Sequence, residues 1–204
     1  MLVFQKHTML LCALGFAAFA DSAYGAEGDP AALQVQSLDT ALLKSMRAGA
    51  TLAIADRYQS LAPVVEQVFD LPFMTRISVG PGWETFSPAQ QEASIAAFTR
   101  LTIASYAFNF HEFDGEKFEI DANVARHGAD KVVLSHLLSP HEAPVSLTYR
   151  MRELGGTWKI IDVSYDGISE LSLRRSDFAA AVASGGAPTL LAHLGKLSDD
   201  LMKR

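Results

Sequence analysis

Three polar residues near the end of one predicted strand could do acid–base chemistry. Asp162, Ser164 and Asp166 alternate along and just beyond the run 158–164, and side chains two residues apart on a strand point to the same side. Two carboxylates placed together can exchange protons with a substrate. A solvated strand face followed by an Asp166-Gly167 turn gives the same pattern. We interpret these carboxylates as structural.

The histidines give no stronger signal. His136 and His141 are separated by a proline-containing loop rather than by helical or strand spacing, so they do not predict a metal site. The sequence carries neither a phosphate-binding Gly-Lys loop nor a G-x-S-x-G nucleophile motif. His136 with Asp162 is the one pair we nominate for an enzymatic alternative. We expect no metal, no cofactor and no enzymatic activity.

Composition narrows the class of protein further. The chain has 204 residues, of which 49% are hydrophobic and 20% charged, with a formal net charge of −6. A mildly acidic chain with scattered basic residues is a poor nucleic-acid binder, so we expect no nucleic-acid partner. The part of the chain after residue 25 is long enough to form a single domain with a sizeable core.

The first 25 residues have the pattern of a secretory signal peptide. Lys6 and His7 precede an apolar run, 9–20, and Ala23-Tyr24-Gly25 places small residues before a predicted cut at Ala26. Cleavage would remove Cys12, the only cysteine, and with it any thiolate chemistry. We therefore divide the chain into a signal peptide, 1–25, and one exported domain, 26–204.

The hydrophobic periodicity predicts helices, then strands, then helices, which is typical of an α+β fold. The predicted helices are 31–47, 52–69, a short turn after Asp70, a long helix from Ser87-Pro88 to about 113, 172–184 and 188–202. The predicted strands form a twisted antiparallel four-stranded meander of 118–125, 131–138, 145–151 and 158–164. We expect the helices to pack on this sheet with an apolar pocket between them.

Nearly the whole exported domain resembles the MlaC family, periplasmic lipid-binding components of ABC transport systems, also known as toluene-tolerance auxiliary proteins. The resemblance lies in the order and spacing of motifs: Gly80, Trp83, Ser87-Pro88, Gln90-Gln91, Phe98, Tyr106, Asp162-Val163, Gly167-Ile168-Ser169, Arg174 and Phe178. Two segments, 69–74 and 106–110, look most like the hopanoid-associated HpnM branch. Arg174-Arg175 departs from the single arginine that is usual in the family.

The resemblance implies a periplasmic, monomeric lipid shuttle that works with a membrane ABC complex and moves hopanoids or phospholipids between membranes, including the outer membrane. Arg76, Arg174 and Arg175 would flank the mouth of its pocket, and Ala104 is our candidate for a pocket-filling substitution. The alternatives are an enzyme on a cone-shaped α+β fold and an interaction protein with a filled core. The predicted ligand-binding residues are Phe73, Met74, Ile77, Phe98, Tyr106, Leu147, Tyr149, Ile161 and Val163.

Overall fold

The computed structural model describes residues 28–203, so the predicted signal peptide lies outside the described residues. Four helices come first, six strands follow, and a long helix ends the chain. The helices are α1 (Pro30–Ala48), α2 (Ile54–Val68), α3 (Leu71–Val79), α4 (Pro88–Asn109) and α5 (Glu170–Met202), with 3-10 turns at Gly49–Thr51 and Gly80–Thr85.

Side-chain caps fix where three of the first four helices begin. The Asp29 carboxylate accepts from the backbone of Ala31, and the Asp70 carboxylate accepts from that of Phe73. Ser87 and Gln90 form a reciprocal capping box at the start of α4, as the Ser-Pro signal predicted. Asp29 also pairs with Lys131 at 2.6 Å, which ties the start of α1 to the sheet.

The predicted α+β fold is confirmed, but the sheet has six strands instead of four. They are β1 (Lys117–Ile120), β2 (Ala125–His127), β3 (Asp130–Leu138), β4 (Val145–Leu154), β5 (Thr157–Tyr165) and β6 (Ile168–Ser169). The order is β1-β3-β4-β5-β6, with β2 also on β3 and all pairs antiparallel.

Two local features account for the extra strands. Ile120 pairs with Ser135 and Ala125 with Val132, so 121–124 face only two residues of β3. That mismatch interrupts the ladder and splits the first predicted strand. At the other end, the Asp166-Gly167 turn folds the chain back and adds the two residues of β6 before α5 begins.

The junction between α2 and α3 meets the sheet at a β-bulge. The register of β4 and β5 shifts between Arg150 and Met151. Close to this point the Ile160 carbonyl accepts a 2.9 Å hydrogen bond from the N–H of Asp70, and Phe69 forms an isolated parallel bridge to Ile160. The α2–α3 junction is thereby fastened to β5.

Helix α5 is divided in two, as the Gly185-Gly186 pair predicted. Both glycines have non-helical dihedral angles. By length and composition α5 is the one helix in the described part of the chain that could cross a membrane. Each half is shorter than the roughly 20 residues that a membrane span needs, and α5 packs against α3 and α4.

One buried carboxylate lies between α1 and the sheet. Asp39 accepts a 3.1 Å hydrogen bond from Ser135 at Oδ2, while its Oδ1 has no hydrogen-bond partner among residues 28–203. Burial raises the pKa of Asp39 to about 7, and the neighbouring hydroxyls of Ser135 and Tyr149 limit the rise. The ionised form is therefore unfavourable in the folded state.

The Asp166-Gly167 turn yields a stability prediction. Gly167 has φ +83°, and a Cβ there would meet no atom within 4 Å. Gly195 in α5 has equally open surroundings and no positive φ. Chemical denaturation should therefore show a loss of about 1–2 kcal/mol for Gly167→Ala, against a gain of about 0.5–1 kcal/mol for Gly195→Ala. Equal effects would contradict a backbone cause.

Asp39 yields a pH prediction. Because its pKa is higher in the folded than in the unfolded chain, the folded state binds more protons between about pH 4 and pH 7. Its contribution to stability therefore falls as the pH rises through that window. Asp39→Asn should flatten the decline and be more stable at pH 8, by on the order of 4 kcal/mol.

Urea denaturation at several pH values measures this effect. Glu92→Gln, which changes an exposed carboxylate of α4, is the control and should keep the wild-type slope. A wild-type slope in Asp39→Asn would show that Asp39 is not the group responsible.

Candidate ligand-binding cavity

A cavity of about 140 Å³ lies between α4, β5 and the first turns of α5. Helix α4 supplies one wall, β5 supplies the floor, and α3 and the α2–α3 junction close the side. Most lining side chains are apolar or uncharged. They are Phe69, Met74, Phe98, Thr102, Ser105, Tyr106, Asn109, Val163, Tyr165, Glu170, Leu171 and Arg174.

Aromatic contacts hold the wall in place. The Phe69 and Tyr106 rings lie 5.7 Å apart, and Tyr106 stacks on Phe110 at the same centroid distance. Phe98 meets Phe178 of α5 edge to face at 5.9 Å. Such pairs favour fixed ring geometries, so α4, α5 and the α2–α3 junction hold one another around the cavity.

Two phenol groups give the cavity its buried polar edge. The phenol groups of Tyr106 and Tyr165 are close enough to influence each other's pKa. Burial raises the pKa of Tyr106 well above the usual tyrosine value, and burial also raises the pKa of Tyr165. Both side chains therefore stay neutral at physiological pH and offer hydroxyl groups rather than charges.

Charged groups occur where α5 begins. Glu170 and Arg174 are one helical turn apart and form a 3.7 Å ion pair. The start of α5 is fixed by Asp162, which accepts from the Ser169 hydroxyl at 2.7 Å and from the Leu171 backbone at 3.2 Å. This end of the cavity, which we call the mouth, combines a paired charge with an apolar interior.

The arrangement suits the binding of an apolar group better than a reaction. The only carboxylate in the lining, Glu170, is paired with Arg174. No group of three or more His, Cys, Asp or Glu side chains within 28–203 could hold a metal ion. The chemistry available is van der Waals contact along the walls and hydrogen bonding at the neutral hydroxyls.

Four of the nine predicted ligand-binding residues line this cavity: Met74, Phe98, Tyr106 and Val163. They come from α3, α4 and β5, so the predicted meeting of the long helix and the sheet occurs there. Their role as ligand contacts stays a prediction.

On α3, Phe73 and Ile77 face away from the cavity. The Phe73 ring lies under two guanidinium groups, 4.9 Å from that of Arg152 and 5.8 Å from that of Arg76. Ile77 lines a separate surface pocket of about 250 Å³ that also contains Arg76 and Arg175. Helical rotation separates these residues from Met74, which points inward.

On the sheet, three predicted residues are packed elsewhere. Leu147 and Tyr149 are buried in the core on central strand β4. Ile161 is buried next to Ile160 beside the β-bulge, where the alternation of inward and outward side chains breaks down. The cavity lies beside β5, one strand away from the position that the alternation on β4 predicted.

Sequence reasoning missed the polar part of the lining. Thr102, Ser105 and Asn109 lie on the same stripe of α4 as Phe98 and Tyr106. Uncharged polar residues at these spacings on a helix with little amphipathicity were an available signal, because a fully packed core excludes them. Arg174, predicted to flank the mouth, does line the cavity.

The structure does not bring together the pair nominated for catalysis. His136 contacts Asp121 at 3.2 Å, whereas Asp162 caps α5. His136 pairs in register with Ser146, and Asp162 pairs with Arg150, so their partners lie four positions apart on β4. The pair nominated for the enzymatic alternative is therefore not a site.

The same fold, mixed helices over an antiparallel sheet, is found in a solved phospholipid-binding protein. That protein, from Ralstonia solanacearum and in complex with a phospholipid, matches with a TM-score of 0.72 and 22% sequence identity, covering 83% of this chain and 97% of the other. No curated protein sequence matches. The family model described as "MlaC protein" matches residues 36–196, so the chain belongs to the MlaC family.

Two neighbouring positions on α4 test where the cavity lies. Ala104 is fully buried and is not among the lining residues, whereas Ser105 lines the cavity. Ala104→Leu should destabilise the fold by about 1–3 kcal/mol through overpacking, while Ser105→Leu should cost much less because its added atoms enter the cavity. Thermal and urea denaturation measure both variants, and the reverse order would place the cavity elsewhere.

Proposed function

We propose that this protein is a lipid-binding shuttle that carries a lipid in the cavity beneath α4. The observation that carries the proposal is a cavity with aromatic and aliphatic walls and neutral polar groups, in a chain of the MlaC family. The phospholipid bound by the Ralstonia solanacearum protein of the same fold supports it. The ligand would lie tail-inward, with its polar end at Glu170 and Arg174.

The physical case rests on the cost of exposing a lipid tail to water. Burying roughly 400 Å² of apolar ligand surface at about 25 cal/mol/Å² contributes on the order of 10 kcal/mol before binding costs. A protein cavity can therefore compete with a bilayer for the lipid. No catalytic group or metal is needed for this task.

The size of the cavity adds a requirement. About 140 Å³ is close to the volume of an engineered cavity that accepts benzene, so it holds only part of a lipid. Loading would require the walls to separate. The wall best suited to move is the first half of α5, 170–184, because the glycine break separates it from the second half and Phe178 is its only buried residue.

The proposed location and partners rest on the N-terminal sequence and on the family. We propose that residues 1–25 direct export and are removed, so that 26–204 acts in the periplasm as a monomer. A membrane ABC complex would supply or accept the lipid, and the protein would carry it between that membrane and the outer membrane.

A hopanoid is our first choice of lipid and a phospholipid the second. The segments 69–74 and 106–110, which resemble the HpnM branch, supply Phe69, Met74, Tyr106 and Asn109 to the cavity. Flat aromatic rings next to small side chains suit a rigid polycyclic body.

Lipid binding and lipid choice can be measured on the same protein. Mass spectrometry of organic extracts from gently purified protein should detect a co-purified lipid. A fluorescent lipid bound to the protein should then be displaced by hopanoid more readily than by phospholipid or sterol. Displacement by phospholipid alone would refute the hopanoid choice, and no uptake of any lipid would refute the shuttle.

Filling the cavity should weaken binding. Ser105→Leu should reduce affinity for the fluorescent lipid at least tenfold, because its side chain occupies space the tail needs. Ala96→Leu, at an exposed position of the same helix, is the matched control and should bind like the wild type. Wild-type affinity in Ser105→Leu would show that the lipid binds elsewhere.

A further inference from the structure

Helix α5 is apolar in composition, yet most of it is not buried. Its most apolar 18-residue window has a mean hydropathy of 1.2, yet only 22% of that window is buried. Helices of this composition are usually buried in a core. A large apolar surface that stays exposed on a monomer generally marks a binding surface.

The two most exposed large apolar side chains lie beside the mouth. Ile168 is 60% exposed and Leu173 is 53% exposed, more than any other large hydrophobic side chain in the described residues. Ile168 pairs with Tyr165, which lines the cavity. Leu173 comes three residues after the lining residue Glu170, so the two side chains are neighbours on the helix surface. Both side chains therefore sit on the rim.

From Leu173 an uncharged face continues along the helix. Ser176, Ala180 and Ala183 follow at helical spacing, and all are exposed. These short side chains leave the helix surface smooth over several turns. We call Ile168, Leu173, Ser176, Ala180 and Ala183 the rim face.

Arginine side chains lie on one side of the rim face. Glu170 is paired with Arg174, and Asp177 contacts His193 at 2.9 Å. Arg76 and Arg175 are exposed and line the surface pocket next to α5, together with Glu84. Guanidinium groups bind phosphate oxygens through directed hydrogen bonds.

We propose that the rim face docks on the headgroup region of a lipid bilayer, with Ile168 and Leu173 inserted and Arg76 and Arg175 against lipid phosphates. This inference rests on the proposed function, because docking would place the mouth where a lipid enters or leaves. Isolated large apolar side chains beside arginines, on a smooth helix, are typical of interfacial binding. Contact at the mouth would also shorten the path of the tail through water.

Vesicle cosedimentation tests the proposal. Protein lacking residues 1–25 is mixed with vesicles of phosphatidylethanolamine and phosphatidylglycerol, and in parallel with vesicles of phosphatidylcholine. The double variant Ile168→Ser/Leu173→Ser should lose about tenfold or more in partitioning on both. Arg76→Gln/Arg175→Gln should lose partitioning mainly on the anionic vesicles, and more at low salt.

A matched control is available elsewhere on the surface. Leu33 and Leu154 are 46% and 43% exposed and lie on α1 and at the end of β4. Leu33→Ser/Leu154→Ser should bind vesicles like the wild type. An equal loss in this control, wild-type partitioning in the rim variant, or no vesicle binding by the wild type would overturn the proposal. If the wild type forms dimers and the rim variant does not, the rim face binds a second copy of the chain, and this result would also overturn the proposal.

A separate measurement keeps the two proposals distinguishable. Binding of a short-chain phosphatidylcholine below its micelle concentration reports on the cavity without a bilayer. The rim variant should keep this affinity, which also shows that it is folded. Loss of short-chain binding in the rim variant would show that these residues serve the cavity and would overturn docking. If the wild type binds the short-chain lipid but does not bind vesicles, docking is overturned and the proposed function stands.

Discussion

The hydrogen bond from the Asp70 N–H to the Ile160 carbonyl joins the α2–α3 junction to the sheet, and the position of one cavity wall depends on it. It places Phe69 beside β5 as a wall, and Asp70 then caps α3, which directs Met74 inward. Strand β5 has only the short β6 on its outer side. The Phe69–Asp70 segment covers part of that edge, which would otherwise be open to pairing with another chain.

The cavity has a cost that the surrounding core must offset. Folded proteins pack their interiors to the density of organic crystals, so the side chains around a cavity of about 140 Å³ lack packing contacts that a filled core would supply. Thr102 and Ser105 are too short to fill it. The aromatic contacts of Phe69, Phe98 and Tyr106 keep it from collapsing. Stability given up at one place for binding is common at functional sites.

Local signals in the sequence predicted most of the fold. The Ser87-Pro88 start of α4, the break between the predicted helices 172–184 and 188–202, and the Asp166-Gly167 turn follow from the chemistry of single residues. The two extra strands could not be predicted in the same way, because they depend on register mismatches between β1, β2 and β3 and on a turn next to α5.

Only some of the predicted ligand-binding residues line the cavity, for a related reason. Alternation along β4 correctly gave Leu147 and Tyr149 as inward residues, but inward on that strand means the solid core. Which inward residues border a cavity depends on how α4 and α5 lie over the sheet, and the bulge beside Ile161 shifts that relation. The polar stripe on α4 was readable in the sequence, whereas the contribution of β5 and the start of α5 required tertiary structure.

The break in α5 divides the helix into two units of unequal stability. Phe178 is the buried anchor of the first half, whereas the second half buries Ala187, Leu190, Leu194 and Ser198. Segments with few buried contacts open locally at lower free energy than the core. Amide hydrogens of the first half should therefore exchange with solvent through sub-global opening, while those of the second half exchange only on global unfolding. The part of the chain that borders the mouth would then be the part that opens without unfolding the rest.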